Sequence, residues 1–156
     1  MKGGWKNDNY AAMMRDMTAA NRKTVKVGIA TPKQHFRKGR GSVSMAQLYQ
    51  WHEEGTRDNH VPARPTLRPT FKRYKILLST KFAKNLMISA ADSRRNTNSV
   101  LVDIGATYSK LVKYSIMNLS SPRLQPYTIA NRVNKGTSNP LVDQSQLMDD
   151  IGYSIK

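Results

Sequence analysis

An α+β fold is predicted: two long helices packed on a small antiparallel sheet, in a single domain of 156 residues. Three observations predict it. Two central stretches repeat apolar residues at three- and four-residue steps, the period of a helix with one buried face. A short segment near each end alternates apolar and polar residues, the period of a half-buried strand. No internal repeat and no clear boundary divides the chain, so both strands belong to one unit. A chain of this length buries roughly 70% of the surface its unfolded form exposes. Only 38% of the residues are hydrophobic, so part of the order is expected to come from neighbours in an assembly.

Taken in order, residues 1–7 read as a flexible N-terminus. Residues 8–22 read as a helix with Asp8 as N-cap and Tyr10, Met13, Met14 and Met17 as its apolar stripe. Residues 24–29 alternate Val25, Val27 and Ile29 with Thr24, Lys26 and Gly28, which predicts a strand. Residues 30–43 are polar, basic and glycine-containing and read as a mobile loop carrying Lys33, Arg37, Lys38 and Arg40. Its glycines are not followed by Gly-Lys-Ser/Thr, which argues against a phosphate-binding P-loop. Residues 44–54 read as a short helix, capped by Ser44 with Gln47 at the capping-box position and stopped by Gly55. Leu48 and Trp51 share one face of it.

Pro62, Pro65 and Pro69 make 56–69 an extended connector. A long helix is expected from about Pro69 to Ala91, with Phe71, Tyr74, Leu78, Phe82 and Leu86 inward. After the polar break 94–98, a second helix is expected over 99–118, with Leu101, Ile104, Tyr108, Leu111 and Ser115 inward. Pro126 opens a helical turn through Arg132 in which Ile129 packs inward. Leu147 sits in a last helical turn. Ile151, Tyr153 and Ile155 line one face of a closing strand, expected to pair with residues 24–29.

The net charge of +16 implies an anionic partner, whether nucleic acid, a membrane surface or an acidic protein face. There is no cysteine, which excludes disulfides, thiolate metal sites and a cysteine nucleophile. No apolar run approaches the roughly 18 residues that span a bilayer, and the first residues lack the apolar core of a signal peptide. A soluble product of the cytoplasm, without membrane attachment, is therefore expected.

Three segments carry a resemblance. The first is Ala46-Gln47-Leu48-Tyr49-Gln50-Trp51-His52-Glu53-Glu54-Gly55-Thr56. The second is Val61-Pro62-Ala63-Arg64-Pro65-Thr66-Leu67-Arg68-Pro69-Thr70-Phe71. The third is Pro140-Leu141-Val142-Asp143-Gln144-Ser145-Gln146-Leu147, leading into Ile151–Ile155. In this order they resemble the neck and tail-completion proteins of tailed phages, also described as virion morphogenesis proteins. That family's pattern is a helix ending in Glu-x-Gly-Thr, then Pro-Ala-Arg-Pro-x-Leu-Arg-Pro, then Pro-Leu-hydrophobic-Asp-Thr-Gly-x-Leu before a closing strand. The run Ser121-Pro122 to Pro126-Tyr127-Thr128-Ile129-Ala130 is similar to the family's Pro-Leu-Ser-Pro-x-Thr run. Gln144-Ser145 departs from the commoner Thr-Gly.

The resemblance implies a structural virion protein, made in the bacterial host cytoplasm and built into the neck of the particle. It would form a homo-oligomeric ring that joins the head-side connector to the tail terminator or tube and lets the genome pass. Such a ring needs head-to-tail contacts between different patches. No catalytic residue, cofactor or metal is expected. His52 stands beside Glu53 and Glu54, but adjacent helical residues point to different faces; His35 and His60 lie in loops without ligand spacing.

Glu53 or Glu54 is expected to pair with Arg64 or Arg68. The stiff Pro62-Ala63-Arg64-Pro65 run either meets a neighbouring subunit or simply carries the chain into the long helix. Candidate subunit contacts are thus Trp51, Glu53, Glu54, Arg64, Pro65 and Arg68, with core packing the competing role for Trp51 and Trp5 a further anchor. A basic surface is expected from the loop cations above together with Lys72, Arg73, Lys75, Lys81, Lys84, Arg94 and Arg95. Residues 64–95 hold nine bases and one acid, Asp92. Contact with an acidic neighbour or non-specific contact with genomic DNA would use it. The alternative reading is a nucleic-acid-binding module that touches phosphates without base readout.

Overall fold

The computed structural model describes residues 7–29, 34–36, 42–58, 60–92, 97–132, 138–142 and 146–156. The chain opens with α1 (Asn7–Asn21) and β1 (Val25–Ile29). A short hairpin follows, β2 (Gln34–Phe36) and β3 (Ser42–Ser44), running directly into α2 (Met45–Glu54). The long helices are α3 (Leu67–Ala91) and α4 (Thr97–Met117); then come α5 (Pro126–Ala130), α6 (Gln146–Asp149) and β4 (Ile151–Ile155).

β1 and β4 pair antiparallel from Val25–Ile155 to Ile29–Ile151, so the two ends of the chain close one small sheet. Backbone bonds between Thr24 and Lys156 extend the ladder by one step at 2.7 and 3.0 Å. The expected α+β architecture is thus present, with α3 and α4 packed on each other and α4 on this sheet.

Helix α4 is central because it is buried over half its circumference. Its predicted stripe faces α3, where Leu78, Phe82, Val100 and Tyr108 form one core with Val27, Phe71, Tyr74 and Leu111 around it. The rings of Phe71 and Tyr108 stack there at 4.4 Å. A second face, missed by the stripe, carries Gly105, Ser109, Val112 and Ile116. Val112 and Ile116 are completely buried against Met45, Tyr49, Leu141, Leu147 and Ile151. Gly105 is where α4 meets β4: a methyl group there would overlap the Tyr153 ring and sit 3.0 Å from Tyr153 Cβ. The glycine is required by close helix–strand approach.

Several local expectations are corrected. The stretch 30–43 is not all loop, since residues 34–36 pair with 42–44 in register His35–Val43. Three-residue strands are too short to show a period. The cations placed on that loop, Lys33, Arg37, Lys38 and Arg40, lie outside the described residues, as do Trp5, Arg94, Arg95, Gln144 and Ser145. Helix α3 begins two residues earlier than expected, with Pro69 at its third position. A proline there costs little, because the first four helical N–H groups have no partner within the helix. Asp8 lies inside α1 rather than before it; among the described side chains of α1 only Met13, Met17 and Ala20 turn inward, Met14 is 44% exposed, and the Tyr10 side chain lies outside the described ones. Ile129 on α5 does not pack inward either; it is 41% exposed.

Candidate functional site

The connector between α2 and α3 is built as a joint, and the two glutamates that end α2 have different roles in it. Ser44 caps α2, accepting from the Gln47 N–H at 3.1 Å. Gly55 ends it in a left-handed conformation (φ 78°), donating to Trp51 O at 2.8 Å. A side chain at Gly55 would also press on Ala63 N at 3.1 Å. The loop beyond is closed at both edges of Thr56: its N–H donates to Val61 O, and its hydroxyl accepts from Val61 N–H, each at 3.0 Å. Arg64 N–H then returns to His52 O at 2.6 Å.

Glu53 is buried and aims its carboxylate at the first turn of α3. It accepts from the N–H groups of Thr66 (2.7 Å), Leu67 (3.0 Å) and Arg68 (2.8 Å). It therefore supplies, from 13 residues upstream, what an N-cap side chain usually supplies, with its negative charge on the positive end of the helix dipole. Thr66 occupies the N-cap position but makes no side-chain cap bond. Its hydroxyl is within 2.8 Å of the buried Tyr49 hydroxyl instead. Burial pushes the Tyr49 phenol up to about 12, partly offset by the Thr66 bond and reinforced by the Glu53 charge.

The arginines of the connector divide in the same way. Arg68 forms the expected ion pair, with Glu54 at 2.6 Å, on the exposed surface. Arg64 is not paired with either glutamate. It is 5% exposed and donates from Nε to Pro122 O at 3.2 Å, which ties the connector to the segment after α4. Burial lowers its pKa from the usual guanidinium value. The third motif is anchored nearby: Asn139 Nδ2 donates to Ile116 O and Met117 O at 2.9 and 2.7 Å, satisfying the end of α4. Its Oδ1 accepts from Leu141 N–H at 3.0 Å. Leu141 thereby enters the core with Val112 and Ile116.

The first two motif segments, separated by residues 57–60 alone, thus build the joint, and Leu141 and Leu147 of the distant third share a core with Tyr49 of α2 and Ile116 of α4. No family model, curated protein or solved structure matches the chain. Its functional reading rests on its own residues.

The carboxylates of the joint are engaged within it. Three N–H donors occupy the Glu53 carboxylate, Arg68 engages Glu54, and the exposed His60–Asp58 pair spans only two residues. A hydrogen bond from the Thr56 side chain, then one from the His60 backbone, holds the Asp58 carboxyl below its ordinary value. Among the described residues no three His, Cys, Asp or Glu side chains cluster to hold a metal.

Two surfaces beside the joint are open. Trp51 is half-buried and lines an apolar groove of about 360 Å³ with Val43, Leu48, His60 and Val61. Of the candidate contact residues, Pro65, Arg68 and Glu54 are exposed, whereas Glu53 and Arg64 are spent inside the fold. The second surface is the outside of α3. All five of its predicted cations, Lys72, Arg73, Lys75, Lys81 and Lys84, are exposed. Between them lie exposed apolar residues that the sequence reading left out: Ile76 (80% exposed), Leu77 (66%), Met87 and Ile88. The signal was present, since these four fall off the inward stripe, but one-stripe reasoning discards such residues.

Proposed function

We propose that this chain is a non-enzymatic structural protein of the neck or tail-completion region of a tailed phage. Copies would form a ring between the head-side connector and the tail terminator or tube, leaving a passage for the genome. One observation carries the reading: the first two motifs build one joint, with Glu53 capping α3 and Arg64 tying the connector to Pro122, and Leu141 and Leu147 of the third pack in the core that holds Tyr49 of α2. A motif set that serves to fix helix directions suits a subunit whose task is to meet its neighbours at set angles. Purified protein should form rings, seen by light scattering and electron microscopy, and should dock onto isolated heads or tails. A species that stays monomeric at all concentrations and docks to neither contradicts the proposal.

The exposed cations of α3 and the +16 charge favour a second reading, a module that binds nucleic acid through phosphates. It predicts tight binding of the monomer to random duplex DNA that falls steeply with salt; rings that persist at high salt without such binding favour the neck.

A further inference from the structure

Helix α3 is amphipathic twice over. Its inward stripe is buried in the core, and its small net amphipathicity arises because a second apolar row runs along the opposite side. Ile76, Thr80, Ala83 and Met87 follow one another at steps of four, three and four, all exposed, with Leu77 and Ile88 flanking them. This is the spacing of a seam that receives another helix, and the small Thr80 and Ala83 at its middle permit close approach. The helix carries Arg68, Lys72, Arg73, Lys75, Lys81 and Lys84 and no acid. At its N-terminal end Arg73 also lines an open groove of about 320 Å³ with Tyr74, Tyr114 and Asn118.

We propose that the outer face of α3 docks an acidic amphipathic helix belonging to a different protein. A second copy fits poorly. Two α3 faces brought together would set Lys72, Arg73, Lys75, Lys81 and Lys84 against their own copies, Arg68 being paired with Glu54, and like charges across an interface repel. No other face complements it: among the described side chains no helix or strand carries more than one exposed carboxylate. Duplex DNA would satisfy the cations but leave Ile76, Leu77, Met87 and Ile88 in water, whereas the centre of a protein interface is apolar with charges at its rim. A bilayer surface takes a broad apolar face; here the broad face is spent on the core and the outer row is one residue wide at Thr80 and Ala83. The occupant is therefore a helix with aliphatic residues along one seam and Asp or Glu beside it. This goes beyond the neck reading, which supplies neighbours but not their chemistry, and does not depend on it.

The probe is a labelled peptide of about three heptads with leucine at the seam and glutamate beside it, which repels its own copies. Fluorescence anisotropy at near-physiological salt should show saturable binding to the full-length chain. Ile76→Ser with Met87→Ser should weaken it about tenfold or more, as should Arg73→Glu with Lys84→Glu. Leu77→Ser serves if the double variant misfolds. A peptide with serine at the seam should not bind. The inference is overturned if the serine peptide binds equally well, if the apolar substitutions change nothing, or if duplex DNA or anionic vesicles bind more tightly and lose affinity with Ile76→Ser/Met87→Ser. Peptide binding by a chain that forms no rings would refute the neck reading and leave this one standing.

Discussion

Removing the Glu53 carboxylate should cost far more than removing its neighbour's, although the two residues are chemically identical and adjacent. In Glu53→Ala the N–H of fully buried Thr66 loses its partner, at a cost of about 1–3 kcal/mol. The N–H groups of Leu67 and Arg68 are partly buried, so water recovers some of their bonding and about 0.5–1 kcal/mol each is lost. The favourable placement of a negative charge at the helix start adds up to about 1 kcal/mol. The total is about 2–6 kcal/mol, corresponding to a fall of roughly 4–24 °C in Tm for a chain of this size. Glu54→Ala breaks the exposed pair with Arg68 and a long exposed bond from Gln50 Nε2 (3.3 Å), and should cost about 0.5 kcal/mol. Glu53→Gln, which keeps one acceptor oxygen but turns N–H groups towards the same donors, should fall between the two. Urea unfolding followed by circular dichroism measures all three. If Glu53→Ala and Glu54→Ala prove equally mild, the distant cap contributes nothing and the joint is held by other contacts.

Gly105→Ala should destabilise by about 1–3 kcal/mol through overlap with the Tyr153 ring. Trimming that ring with Tyr153→Val should recover part of the loss in a double-mutant cycle. Ile116→Ala, at a fully buried position on the second face of α4, should cost about 2–5 kcal/mol in the same unfolding assay. Tyr49 gives a pH prediction. Its folded pKa lies above the unfolded value of 10.0, at about 12, so its stabilisation is complete below pH 10 and declines as pH rises through that window. Phenolate absorbance should show Tyr49 ionising late, together with Tyr108, whose pKa burial also raises, and Tyr49→Phe should remove part of that late step.

The parts of the fold legible in the sequence are those written in local periods or local caps. The pairing of 25–29 with 151–155 followed from two alternating runs, and the Ser44 cap and Gly55 stop of α2 from residue type alone. The inward stripe of α3 was read from its spacing, and Leu78 and Phe82 are indeed buried. What was not legible depends on approach in space. Glu53 and Glu54 are indistinguishable in sequence; only the return of the chain over the first turn of α3 makes one a cap and the other a surface ion. Arg64 could not be assigned to Pro122 because its partner lies 58 residues away and is a carbonyl, which every residue possesses. Val112 and Ile116 were missed because a helix sandwiched between two cores has no single stripe. Ile129 was wrongly placed inward because an apolar residue in a five-residue helix has no period to test.

Pro62-Ala63-Arg64-Pro65 and Glu53-Glu54-Gly55 contain residue types often recruited for catalysis, yet every polar group among them that is buried is satisfied by backbone: Glu53 by three N–H groups, Arg64 by a carbonyl. A carboxylate that accepts three backbone N–H bonds is a fixed acceptor with both oxygens engaged. The invested rigidity fixes the direction in which α3 leaves α2. The outer face of α3 is also where exposed aliphatic residues and unopposed cations run side by side. The joint therefore aims a helix whose exposed side has its own pattern. On the proposed role between neighbouring subunits, a rigid capped joint and a two-sided helix are the parts that would carry the work.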